Sequence, residues 1–383
     1  MAGTRGPAKL RGVVFDMDGT LTVPNLDFGE MYRRAGVPKG EDILSPKWRQ
    51  DAQASDIVEE MEMEGRLTLQ LMPGAAELAA WFNAHEIPMA LVTRNSEVTV
   101  RHFLDQVWPT GLPPLNPAIS RDDSYPAKPD PAALAAIAEF WGVSLGPEVL
   151  MIGDSPSNDV AFGKAAGAQT ALLDTGRRYT EGGATGSPDF CVGHLSYLAG
   201  QLWQDYEIDS PICNPALHVK RPAPVAGSQA SMAALSGDIS VLQGLSAQDL
   251  SAADSENGNT PLIWASDAGH LEAVRVLLGK GVDCETRGFL GATAMSRAAR
   301  HGHVAVLQEL FSSGANPNIP NDKLQYPFHF AAFKQKHGAV DVFLERGASP
   351  FVLDRKGRTP AEDTSNPDIK SKIQDAQRKL RMT

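Results

Sequence analysis

Gly12-Val13-Val14-Phe15-Asp16-Met17-Asp18-Gly19-Thr20 is the stretch on which the reading of the first half of this chain turns. A short apolar run ends abruptly on two aspartates spaced i, i+2 and then a glycine. Such a run suits a buried strand, and the acidic pair that follows suits its carboxyl end. The arrangement recurs further along. Leu91-Val92 runs into Thr93-Arg94-Asn95, and Val149-Leu150-Met151-Ile152 runs into Gly153-Asp154-Ser155. Strands are expected at Gly12–Phe15, Met89–Val92, Ala118–Ser120, Val149–Ile152, Thr170–Leu173 and Phe190–Val192. Helical patterns fill Glu97–Val107, Pro131–Trp141, Asp159–Ala166 and Leu195–Trp203. Strand–helix alternation of this kind implies a Rossmann-like α/β fold, a parallel sheet wound on both faces.

In an open parallel sheet the ligand crevice lies at the carboxyl ends of the strands. Asp16, Asp18, Thr93, Lys128 (in Ala127-Lys128-Pro129-Asp130) and Asp154 are therefore delivered to one rim from distant positions. Carboxylates gathered there repel one another, and a divalent cation removes the conflict. Mg²⁺ takes a few carboxylate oxygens, waters and a phosphate. Thr93 and Lys128 carry no anionic oxygen, so they suit a bound phosphate. Asp16 and Asp18 fall on one side of an extended chain, where one can attack phosphorus and the other handle protons.

In this order the residues resemble the four motifs of the haloacid dehalogenase-like hydrolase superfamily, over roughly residues 9–205. Motif one is Asp16-Met17-Asp18-Gly19-Thr20, two is Thr93, three is Lys128, and four is Gly153-Asp154 with Asp159. The resemblance implies Asp16 as nucleophile and metal ligand. It implies Asp18 as the proton donor and acceptor that also offers its backbone carbonyl to the metal. Thr93 and Lys128, with Arg94 and Asn95 beside them, would hold the substrate, and Asp154 and Asp159 would complete a Mg²⁺ site. In the run Gly153-Asp154-Ser155-Pro156-Ser157-Asn158-Asp159, Asn158 stands at the shorter acidic spacing and Asp159 at the longer; Asp159 is the expected metal or outer-shell residue. The chain is also similar to a plant and fungal branch near phosphoglycolate-type phosphatases. Asp18 points to a phosphatase, because dehalogenases of the superfamily lack it, although mutases share it. Residues 25–72 resemble a helical cap inserted into a core of 9–24 and 73–205. Tyr32, Arg33, Arg34, Trp48 and Arg49 are its unranked specificity candidates.

The second half has a different texture. Thr260-Pro261-Leu262, Thr293-Ala294-Met295, Tyr326-Pro327-Phe328 and Thr359-Pro360-Ala361 begin 33 residues apart, and Gly281, Gly314 and Gly347 keep the same interval. That period and the Thr-Pro-Leu opening resemble ankyrin repeats. About four to five units are expected over 228–383, an all-α solenoid with degenerate ends. Trp264, Phe311 and Phe343 are expected in its core. Its histidines read as packing or solvated residues. Residues 206–227, rich in proline, read as a semi-extended linker.

Composition narrows the rest. The hydrophobic fraction is 42% and the charged fraction 21%, ordinary globular values that exclude fibrous and wholly disordered chains. Residues 228–383 carry 17 basic and 17 acidic side chains, whereas residues 1–227 carry 18 and 29, so the whole net charge of −11 lies in the first half. Neither half has the basic stripe of a nucleic-acid binder. No apolar stretch is long enough for a membrane span. Three scattered cysteines argue against a disulfide framework. A cytoplasmic protein is expected, acting on a small phosphorylated metabolite and holding an unidentified protein through its repeats, with no nucleic acid and no membrane. Three other outcomes stay open: a scaffold with a vestigial hydrolase, a phosphomutase, and a protein phosphatase.

Overall fold

The computed structural model describes residues 8–38, 40–176, 179, 187–213, 228–255 and 257–381. These fall into two compact units, one within 1–198 plus 205–207, the other within 199–204 plus 208–383.

The first unit is built on six parallel strands. They are β1 (Gly12–Phe15), β2 (Met89–Val92), β3 (Ala118–Ile119), β4 (Val149–Gly153), β5 (Gln169–Leu173) and β6 (Phe190–Val192), in the spatial order β3-β2-β1-β4-β5-β6. Val14 stands beside Ala90 on one flank and Met151 on the other. β1 and β4 are buried at every position, which explains why both read as continuous apolar runs rather than alternating ones. The order reverses direction after β1, so the β1 and β4 ends meet at the switch point where such sheets open a crevice.

Two expected helices are interrupted by π turns, and a third, Leu195–Trp203, opens as a 3₁₀ turn at Leu195–Tyr197. Glu97–Val107 divides into a helix over Glu97–His102 and a wider π turn over Phe103–Val107, and the expected Asp159–Ala166 helix is preceded by a π turn at Pro156–Val160. The latter turn bears directly on the site.

Residues 25–72 form an insertion of three helices: α1 (Phe28–Ala35), α2 (Pro46–Arg49) and α3 (Ala52–Leu67). Asp27 and Asp51 cap α1 and α3 by accepting from Glu30 N and Ala54 N, which satisfies donors that a helix start leaves open. Met31, Ala35, Val37, Ile43, Ala54 and Val58 make a small core of the insertion's own. Its two connections to the sheet run side by side: Thr22 bridges Leu71 in antiparallel fashion, and Met72 N donates to the Leu21 carbonyl at 2.7 Å.

Beyond the insertion the first unit's helices are α4 (Ala75–Ala84), α5 (Glu97–His102), α6 (Ala132–Trp141) and α7 (Ala161–Ala165), and α8 (Leu198–Asp205) follows β6. Of the expected linker, residues 214–227 lie outside the described residues. Tyr206 donates its hydroxyl to the Pro147 carbonyl at 3.1 Å, and a 3₁₀ turn follows at Pro211–Cys213.

The second unit stacks helix pairs. They are α9 (Gln229–Ser236) with α10 (Ile239–Gly244), α12 (Pro261–Ala268) with α13 (Leu271–Gly279), α14 (Ala294–His301) with α15 (Val304–Ser312), α16 (Pro327–Phe333) with α17 (His337–Glu345), and α18 (Pro360–Asp363) with α19 (Pro367–Arg381); the short α11 (Ala247–Ser251) lies between the first two pairs. Thr260 and Thr293 cap α12 and α14, and Thr359 with Glu362 forms a reciprocal capping box. Gly281, Gly314 and Gly347 take φ of +78°, +83° and +71°, past the ends of the outer helices, as helix C-termini favour. Gln335 takes the same left-handed backbone at φ +55°, where the preceding repeats use Gly269 and Gly302. Trp264 and Phe343 are buried in one continuous core, with Phe311 packed against it. Among the described residues no helix is long and apolar enough to cross a membrane.

Candidate active site

The carboxyl end of β1 carries the chain into Asp16, whose N–H is tied to the Ile152 carbonyl of β4 at 2.8 Å. A tight turn follows, in which Gly19, Leu21 and Thr22 bond back across the loop. Gly19 has φ +75°, and a Cβ there would lie 2.4 Å from Asp154 Oδ2. Only glycine lets the turn after β1 come this close to the loop after β4.

Asp16, Asp154 and Asp159 each offer a carboxylate oxygen within 4.8 Å of the others. The π turn decides that Asp159 and not Asn158 joins this group. Val160 N reaches back five residues to the Ser155 carbonyl, and the wider turn brings Asp159 inward to 2% exposure while Asn158 stays half-exposed. Asp159 is fixed there by Ser155 N donating to its Oδ2 at 3.0 Å. Gly153 makes room for it, since a Cβ at that position would sit 2.2 Å from the Asp159 Cβ. Three hard oxygen donors on two loops fit a small divalent cation such as Mg²⁺ by donor type.

Lys128, expected to hold the phosphoryl group, is bonded to the acidic cluster itself. Its ammonium donates to Asp16 Oδ1 at 2.5 Å, Asp159 Oδ1 at 2.6 Å and the Val92 carbonyl at 3.1 Å. An ammonium has three donors, and all three are used. Burial by itself favours the neutral amine, but Asp159 and Asp16 outweigh it and hold Lys128 above the ordinary lysine range. Burial pushes the Asp16 carboxyl well above the usual carboxylate range, with Lys128 pulling it down and Asp159 and Asp18 pushing it further up. A lysine thus supplies part of the neutralisation that the sequence reading assigned wholly to a metal.

Asp18 sits beside the acidic cluster with its side chain turned to other partners. Asn95 Nδ2 donates to its Oδ2 at 2.7 Å, and the Thr22 hydroxyl approaches Oδ1 at 3.4 Å. Burial raises its proton affinity, the Asn95 bond lowers it, and the charge of Glu62 raises it again. Thr93 is buried, and its oxygen accepts from Asn95 N at 3.1 Å and Asn95 Nδ2 at 3.2 Å. Thr93 also lines the cavity. Asn95, expected to touch substrate, here aligns Asp18 with Thr93. Arg94 lines the cavity and pairs with Asp42 of the insertion.

The cavity over these groups measures about 490 Å³ and is lined by all eight residues singled out from the sequence: Asp16, Asp18, Thr93, Arg94, Asn95, Lys128, Asp154 and Asp159. Of the insertion candidates, Tyr32 reaches this lining. Arg33 and Arg34 instead pair with Glu30 and Glu60, Trp48 donates to Glu41, and Arg49 pairs with Asp122 at 3.0 Å.

Sequence reasoning missed the firmest tie between insertion and sheet. Glu62 on α3 is buried and lines the cavity; both its oxygens accept from Arg121, which follows β3, with Nη2 to Oε2 at 3.0 Å. The Ser96 hydroxyl adds a third bond to Glu62 at 3.2 Å. The two partners are 59 residues apart and sit in no motif, so nothing local announces them.

The model of the haloacid dehalogenase-like hydrolase family matches residues 10–167, and that of ankyrin repeats, three copies, matches residues 230–321. A haloacid dehalogenase-like hydrolase domain-containing protein of Arabidopsis thaliana is 38% identical over 224 residues, 54% of this chain and 89% of that protein. An uncharacterized hydrolase of Saccharomyces cerevisiae is 31% identical over 181 residues, 45% of this chain and 81% of its own. A phosphoglycolate phosphatase of Pseudomonas savastanoi pv. phaseolicola is 31% identical over 232 residues, 53% of this chain and 84% of its own. The chain belongs to the haloacid dehalogenase-like hydrolase family and carries ankyrin repeats behind that domain.

Proposed function

We propose that the first unit is a Mg²⁺-dependent phosphomonoester hydrolase acting through an aspartyl-phosphate on a small phosphorylated compound. The observation that carries this reading is the cluster of Asp16, Asp154 and Asp159 at the β1 and β4 ends, with Lys128 bonded to two of its members. Bound between those carboxylates, Mg²⁺ would offset the charge of the incoming phosphate and of the site itself.

The chain's own groups do the rest. Asp16, held by its backbone bond to Ile152 and by Lys128, presents an oxygen for attack on phosphorus. Burial raises the proton affinity of Asp18, which suits it to give a proton to the departing alkoxide. The same carboxylate, once ionised, takes a proton from the water that opens the aspartyl-phosphate. The Thr93 hydroxyl donates to a phosphoryl oxygen, and Lys128 keeps positive charge beside it. The insertion covers one side of the cavity and limits the approach of bulk water to the acyl phosphate. A cavity of about 490 Å³ suits a small ester better than a loop of a folded phosphoprotein.

For the second unit we propose protein binding, the usual task of a stacked-repeat surface. The hydrolase assay uses an aryl phosphate and the full chain. Activity is expected with Mg²⁺, none with EDTA, and none in Asp16→Asn. Turnover that persists in EDTA and in Asp16→Asn would overturn the reading.

A further inference from the structure

The cavity is lined from two directions. The sheet loops supply its polar floor. The insertion supplies an apolar group, Leu26, Phe28, Met31, Tyr32, Ile43 and Leu44, and beside it the polar Asn25, Asp42 and Glu62. Tyr32 lines the cavity, with its hydroxyl accepting from Ile43 N at 3.3 Å. Phe28 is 47% exposed at the start of α1 although it is a large apolar side chain. A folded chain gains by covering such a ring, and a ligand in the cavity would cover this one.

Charge points the same way. Six carboxylates line the cavity and two cations do, Lys128 and Arg94. Lys128 has spent its three donors on Asp16, Asp159 and the Val92 carbonyl. Arg94 is paired with Asp42. If a second anion on the substrate displaced Asp42 from Arg94, it would leave that carboxylate beside it. Glu62 is matched by Arg121 behind the lining, so a divalent cation at the floor would bring these charges close to balance, and the phosphate's own charge then leaves no spare cation for a second anion. Bringing like charges together in a partly desolvated site is costly.

We infer that this pocket selects phosphate monoesters whose alcohol half is uncharged and apolar, aryl or alkyl phosphates rather than phosphorylated acids. The inference rests on the phosphatase reading and adds the substrate class to it. Phosphoglycolate, the compound in the name of the Pseudomonas relative, carries a carboxylate beside its phosphate and falls on the disfavoured side.

The test compares 4-propylphenyl phosphate with 4-(carboxymethyl)phenyl phosphate, esters of similar size and similar leaving phenol, on the full chain with Mg²⁺. The propyl ester is expected to show kcat/KM higher by about tenfold or more. Phe28→Ala should raise KM for the propyl ester several-fold while changing KM for phosphoglycolate little. Asp42→Asn should narrow the ratio between the two aryl esters, because it frees Arg94 and removes a carboxylate; a merely structural role for Asp42 would slow both esters alike. A carboxymethyl ester that is hydrolysed as well as the propyl ester, or a ratio unmoved by Asp42→Asn, would overturn the inference. Failure to hydrolyse either ester would instead strike at the phosphatase reading. Calorimetric binding of the two matching arylphosphonates would then still decide the pocket's preference.

Discussion

Asp18 stands between a donor and a like charge. Asn95 bonds to its ionised form, Glu62 opposes that form, and burial opposes it most. If Asp18 is the acid that protonates the leaving alcohol, activity falls as pH rises through its proton-loss range. Asn95→Ala removes a bond that favours the carboxylate, so the group should stay protonated to higher pH. The expected outcome is a basic limb of kcat/KM shifted upward by up to about one pH unit. A pH–rate profile of the variant beside the parent checks it; a limb that stays put or moves down would show that Asn95 does not tune this proton. The address of Asn95 was legible in the sequence, two residues beyond Thr93 on the same loop. Its task was not, because the Asp18 carboxylate that it grips lies 77 residues away in the chain.

At the scale of elements, α3 is the member that ties the insertion to the sheet. Glu62 and Arg121 form a bidentate pair with side chains 7% and 17% exposed, and Arg49 with Asp122 and Arg94 with Asp42 add more exposed links. Exposed pairs contribute little. The buried pair is different, because removing one partner strands a charge away from water. Arg121→Ala should cost about 3–5 kcal/mol in stability by leaving Glu62 uncompensated. The double variant Glu62→Gln/Arg121→Ala should recover a large part of that loss, since no buried charge then remains. Denaturant unfolding of both checks the sign; equal losses in the two would mean that the pair is not what holds the insertion. The strands and the 33-residue repeats were legible from local pattern, whereas the π turn at Pro156–Val160 was not. Spacing alone left open whether Asn158 or Asp159 faces inward, and the turn settled it by packing Asp159 against Gly153.

At the scale of the molecule, the two units have separate cores and separate chemistry, so a metal bound in one should reveal which melting transition belongs to it. Asp16 and Asp18 both bind protons more readily when folded than when unfolded. The metal-free protein therefore loses stability as pH rises from about 4, the unfolded carboxylate range, through the raised folded values. Lys128 does not alter this window, because its raised value adds stability that is fully present at all pH below about 10. A bound divalent cation should relieve the repulsion and compete with protons for the same oxygens. Saturating Mg²⁺ should stabilise one transition by about 3 kcal/mol at a hundredfold excess over its Kd, more at pH 7.5 than at pH 5. The other transition should stay in place. Scanning calorimetry with and without Mg²⁺ checks this, and a transition that ignores the metal at both pH values would remove the metal from the site.

The sequence by itself determined the parallel sheet, the order of the loops that carry Asp16, Thr93, Lys128 and Asp154, and the repeat architecture of 228–383. Each of these is written in neighbouring residues: an apolar run, the polar residue that ends it, a threonine cap, a glycine past a helix end. Tertiary structure alone decided that Lys128 saturates itself on two aspartates, that Asp159 displaces Asn158 from the cluster, and that Glu62 and Arg121 join insertion to sheet. Those pairings close loops of 31 to 112 residues, and no local pattern encodes which distant charge will be buried against which. Only the packing of the whole sheet and insertion fixes that choice.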